Sequence, residues 1–161
     1  MAITLPRIRQ IVDWRAAFWA GLLGGLIFLL ANLLLSPVGN AWVMIRLFAS
    51  VLLGDSILAP PATFDLMALG AALIAHFALS IAYALLIAYI IHRGGLITGI
   101  IGGALLGLAL YSINFYTLTL FYPWFFAMRS AIFIATHALY GALVGGIYEA
   151  LEIEIFVPAD E

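Results

Sequence analysis

The chain has 161 residues, 66% of them hydrophobic and 9% charged, with a formal net charge of −2, whereas a soluble domain carries roughly 45–50% apolar and about 25% charged residues. That balance excludes an ordinary soluble domain, and the lack of any basic cluster excludes the electrostatic footprint of nucleic-acid binding. There is no cysteine, so disulfides, thiolate metal sites and cysteine nucleophiles are excluded too.

The first apolar run, about residues 16–35, meets the requirement of roughly 20 helical residues for crossing a hydrocarbon core. It is too long for a secretory h-region and lacks a small-residue cleavage pattern, so it reads as a retained first span. Residues 41–53 follow, apolar but short and interrupted by Arg46. Ala41, Ile45, Phe48 and Leu52 would share one helical face and Arg46 and Ser50 another, which predicts an outer interfacial or re-entrant helix. "LAPPATFD" then stops it, with Thr63 or Asp65 placed to cap the next helix. Three further spans are expected at about residues 66–91, 94–121 and 124–148, and an acidic tail at 149–161. Tyr116, Tyr122, Trp124 and Trp42 suit a headgroup-level aromatic belt. Arg7, Arg9, Arg15 and Arg93 fall on one side of these spans and Arg46 and Arg129 on the other, so the positive-inside rule places both termini in the cytoplasm.

"GLLGG" at 21–25 and "GIIGG" at 99–103 open the first and third spans. The second and fourth each hold a histidine followed four residues later by a small residue. The pattern fits two copies of one helical hairpin related by an axis along the membrane normal, or a chance recurrence of glycine pairs. Gly95, Gly99, Gly103 and Gly107 recur every four residues and lie on one helix face. Gly21 and Gly25 with Ala17, Ser80 with Ala84 and Ala88, and Gly141 with Gly145 do the same, which predicts close small-xxx-small helix packing.

His76 in "LIAHFALSIAY" and His137 in "FIATHALYGAL" stand about ten residues, or roughly 15 Å, inside their spans. Polar side chains at that depth must face the interior and find a partner. Ser80 and Tyr83 share a stripe with His76, and Tyr140, Gly141 and Tyr148 with His137, so interhelical hydrogen bonding is one reading. A second is bis-histidine haem b, with Arg46 and Arg129 meeting the propionates. A third is a proton or small-solute path through Asp65, His76, Ser80 and Tyr83, for which no carboxylate stands in the central half of any span. Asn32 and Asn114, toward the outer ends of their spans, are expected to bond across helices. His92, next to Arg93, should complement a helix C-terminus. No HExxH, GxSxG or P-loop occurs, which argues against an enzyme acting alone.

"HFALSIAYA", "GIIGGALLGLALYSINF", "ATHALYGALVGGIYEAL" and "RAAFWAGLLGGLIF" together resemble the YagU-like family of small bacterial inner-membrane proteins across most of the chain. A longer polar, proline-rich outer loop of that family is missing here. The resemblance implies a four-span bacterial inner-membrane protein and carries over only His76, Ser80 and His137. The expectation is an all-α bundle of four transmembrane helices in the lipid bilayer. It would act as a non-catalytic accessory subunit that associates with other subunits or with itself.

Overall fold

The computed structural model describes residues 8–35 and 39–158; Arg7 and the last three residues of the acidic tail lie outside them. Helices dominate: α1 (Trp14–Leu35), α2 (Ala41–Leu53), α3 (Leu66–Ile91), α4 (Gly95–Ser112) and α5 (Ala131–Leu151). Four are long and apolar enough to cross a membrane: α1, α3, α5, and α4 together with its continuation to Leu120. The chain thus has the make-up of a multi-pass membrane protein.

Local chemistry sets the boundaries. Asn40, Asp65 and Ser130 each accept a hydrogen bond from the backbone N–H three residues on, satisfying a donor that the first helical turn leaves orphaned. Of the two residues expected to cap α3, Asp65 does so. α2 ends at Gly54, whose φ of +79° suits glycine and whose N–H returns to Ser50 O. A tight turn through Gly94 and Gly95 (φ +72°) joins α3 to α4.

Two boundaries differ from expectation. The fourth span begins at Ala131 rather than near residue 124, because residues 123–128 form a separate 3₁₀ helix with Pro123 in its first turn, and Ser130 restarts the chain as an N-cap. The acidic tail is not wholly free. Ile155–Pro158 form strand β2, antiparallel to β1 (Ile8–Ile11), with Ile8 opposite Pro158 and Ile11 opposite Ile155. Hydropathy alone gave no sign of so short a pair.

Packing is uneven. α4 lies directly on α5, because a methyl group added at Gly103 would collide with the Gly141 carbonyl, one at Gly107 with the His137 carbonyl, and one at Gly145 with the Gly99 carbonyl. α1 packs on α3 through Gly21, where an added methyl would meet Ala84 Cβ at 2.8 Å, and through Gly25, where it would strike the Ser80 hydroxyl. α2 lies across the N-terminal part of α3. Its buried residues are Met44, Ile45, Leu47, Ala49 and Ser50, whereas Ala41 and Leu52 are exposed. The apolar face expected from Ala41, Ile45, Phe48 and Leu52 is therefore rotated, because α2 meets α3 on one side and the 123–128 segment on another.

The core falls into one cluster near the α3–α4 turn, including Ala17, Ala20, Ala84, Ile87, Val144 and Tyr148, and two at the opposite ends of the helices, around Met44, Phe115 and Phe133 and around Ala49, Ala68 and Ala72. Near the first cluster Asp13 ties the start of α1 to the segment after α5. Its carboxylate accepts from the backbone N–H of Arg15 (3.0 Å), Ala16 (3.1 Å) and Ile153 (3.2 Å), and its own N–H donates to the Tyr148 hydroxyl (3.3 Å). Burial pushes this carboxyl up, but those N–H donors and the charge of Arg15 outweigh it and hold the group below its ordinary value of 3.8.

Two outcomes test this packing. Gly103→Ala and Gly141→Ala should each destabilise the detergent-solubilised protein by about 1–3 kcal/mol, the range for overpacking a tight core. Gly70→Ala, where a methyl meets nothing within 4 Å, should be neutral or stabilise by up to about 1 kcal/mol; melting temperatures decide between them. Because the folded pKa of Asp13 is depressed, its contribution is complete above pH 3.8 and is lost as pH falls through the folded value. Hydrogen exchange at the Ile153 amide should stay protected down to that range and lose protection below it, and Asp13→Asn should weaken the protection at every pH.

Candidate functional site

Between these clusters the helices surround a cavity of about 300 Å³. Phe28, Phe48, Leu110, Phe115, Met128 and Phe133 supply much of its apolar wall, and His76, Ser80, Tyr83, Asn114, His137 and Tyr140 supply most of its polar groups. The cavity follows from the glycine contacts: α4 is drawn onto α5 and α3 onto α1, so α3 and α4 diverge from their shared turn.

His76 is buried, 7% exposed, and its Nε2 lies 2.9 Å from the Gly25 carbonyl. A carbonyl only accepts, so Nε2 carries the proton and Nδ1 the lone pair. The ring stacks on Phe28 at 5.9 Å and meets Phe77 edge-on at 5.1 Å. Its bond runs across to α1 and not to Ser80 or Tyr83 on its own helix. Ser80 donates to Gly21 O (2.8 Å), and the Tyr140 hydroxyl donates to Ser80 O (2.6 Å), so that α1, α3 and α5 are tied at one level.

His137 has the opposite tautomer. Its Nδ1 donates to Phe133 O, one turn back (2.7 Å), which leaves Nε2 to accept from the Asn114 amide at 3.3 Å. The Asn114 oxygen in turn accepts from the Tyr83 hydroxyl at 2.6 Å. Tyr83, Asn114 and His137 thus form one relay from α3 to α5. Asn114 lies in a π-helical turn, Ile113–Thr117, that continues α4, and such turns are frequent at functional sites. No residue pattern marks the π-turn in advance. Asn32, fully buried, donates to Phe28 O and accepts from the Thr136 hydroxyl (3.0 Å), a partner that sequence spacing missed. Asp65 is spent on its cap and stands apart from the cavity residues. His92 donates through Nδ1 to Tyr89 O (2.8 Å) and accepts from Arg93 Nε (3.2 Å) at the C-terminal end of α3.

The residues do not fit a bis-histidine haem. Both nitrogens of His137 are engaged, and the Phe28 ring packs against both imidazoles, at 5.9 and 4.8 Å. The arginines expected at the propionates hold backbone instead. Arg46 donates to Ile57 O, Ala59 O and Thr63 O, folding the connection between α2 and α3 onto α2. Arg129 donates to Phe115 O (2.6 Å) and to the Thr119 hydroxyl, with its guanidinium 4.0 Å from the Tyr116 ring centre. Both arginines are thus used to hold backbone carbonyls. Trp124 donates to the Ser50 hydroxyl at 2.8 Å, fastening the 123–128 segment to α2. Among the described residues no group of three or more His, Asp or Glu could hold a metal ion.

No family model, curated protein or solved structure matches the chain.

Replacing Asn114 by Leu should leave the Tyr83 hydroxyl and His137 Nε2 without partners and cost about 1–3 kcal/mol. Adding Tyr83→Phe should then cost less than it does alone, a non-additivity that denaturant titration in detergent would measure.

Proposed function

We propose that this chain is a non-catalytic accessory or scaffold subunit of a larger, energy-transducing assembly in a bacterial inner membrane, its four long helices crossing as a bundle with both termini in the cytoplasm. The observation that carries the reading is that the deep polar side chains are directed at other helices and at backbone carbonyls. Ser80, Tyr83, Asn114, His137, Thr136 and Asn32 bond to one another or to backbone and present no nucleophile with a base. Ile97, Ile101 and Leu105 form an exposed apolar row along α4, suited to lipid or to a neighbouring subunit. Arg9, Arg15 and Arg93 at one end, against Arg46 and Arg129 at the other, support the orientation.

The hairpin duplication belongs to the same proposal, and the packing register supports it. Gly21 faces Ala84 and Gly25 faces Ser80 in the first pair; Gly99 faces Gly145 and Gly103 faces Gly141 in the second. Ser80 and Gly141 stand four residues after their histidines, Ala84 and Gly145 eight, so the two contacts have one pattern. Membership of the YagU-like family, from which the bacterial inner-membrane setting is drawn, is part of the proposal too.

Purification in mild detergent should bring larger membrane partners along, and a stable monomer that turned over a substrate unaided would overturn the reading. An impermeant thiol reagent added to whole cells should label Ala62→Cys and leave a cysteine at Gly94, in the turn after α3, unlabelled. The reverse pattern would invert the topology.

A further inference from the structure

We infer that the cavity binds a neutral amphiphile, an apolar body ending in a hydroxyl, with His76 as the acceptor that recognises it. Three observations converge. The imidazole is committed by one nitrogen only: Nε2–H is donated to Gly25 O, and Nδ1, which must carry the lone pair, has no protein partner among the described residues. An acceptor on the wall of a largely apolar cavity is costly to leave unmet, and a hydroxyl is the smallest neutral group that meets it. No Asp, Glu, Lys or Arg lines the cavity, so a charged headgroup would find no counter-charge there. The second N–H of Asn114, beyond the one given to His137, offers the hydroxyl oxygen a donor, and its place in a π-turn sets it apart from the regular helix.

The route of access is also built in. Leu79, 41% exposed on α3, lines the cavity, as do the half-buried Tyr83 on α3 and Leu118 and Tyr122 beyond α4. The opening therefore lies at the seam between α3 and α4, on the apolar flank of the molecule. A ligand carried in lipid could slide in sideways, hydroxyl first, and leave its tail in the acyl region. Long-chain alcohols and alkylated hydroquinones share this chemistry.

The test uses purified, detergent-solubilised protein with dodecanol, dodecane, dodecanoate and decylhydroquinone as probes, read by native mass spectrometry and by thermal shift. A single saturable adduct and a raised melting temperature are expected with dodecanol or decylhydroquinone, and competition between them identifies the preferred source. Dodecane and dodecanoate should bind at least about tenfold more weakly, the ratio equivalent to one hydrogen bond. His76→Phe, which keeps the ring and removes the lone pair, should erase the preference for alcohol over alkane. If that variant does not fold, Leu79→Trp at the mouth should abolish the adduct in a protein that keeps its far-ultraviolet spectrum. Equal binding of dodecane and dodecanol, or an adduct unaffected by Leu79→Trp, would overturn the inference. None of these outcomes depends on whether partner subunits co-purify.

Discussion

The contact between the bare backbones of α4 and α5 decides most of what surrounds it. Once Gly99, Gly103 and Gly107 lie against Gly145, Gly141 and His137, α4 cannot also close upon α3, although one short turn joins the two. A void must open on the other side, and the side chains that reach into it, Tyr83 from α3 and Asn114 from the π-turn, are those long enough to bridge the gap. In lipid, where no hydrophobic drive brings helices together, such a dispersion contact is among the few strong ways to fix one helix pair at the expense of another.

The second constraint is polar satisfaction. Away from water each amide and hydroxyl must find a partner inside the protein. The two deep histidines solve this differently although their surroundings in sequence are alike: His76 reaches to another helix and keeps a lone pair, while His137 turns to its own preceding turn and accepts a side-chain amide. Each tautomer is fixed by a backbone carbonyl, so the chemical distinction between them is written in main-chain geometry and not in residue type.

This explains which parts were legible in the sequence. Span lengths follow from hydropathy, and helix starts from Asn40, Asp65 and Ser130, because both signals are local. The glycine faces were readable from a spacing of four, although not which glycine would meet which. Partners separated by many residues, such as Asn32 with Thr136 and Asn114 with His137, depend on helix rotation and on a π-turn that shifts the register beyond residue 112. Arg46 and Arg129, which one reading set against haem propionates, hold backbone carbonyls instead, because segments bent away from regular helix bring carbonyls nearer to hand.

The pairing of β1 with β2 orders events during biosynthesis. Residues 8–11 are made before Ile155–Pro158 and can pair with them only once everything between has been synthesised, so this contact is a late stitch. Until then the Asp13 carboxylate can cap α1 but cannot hold Ile153. Helix α1 thus waits, complete in itself, for α5 to register against it, and a fault anywhere between would show first as an unpaired strand.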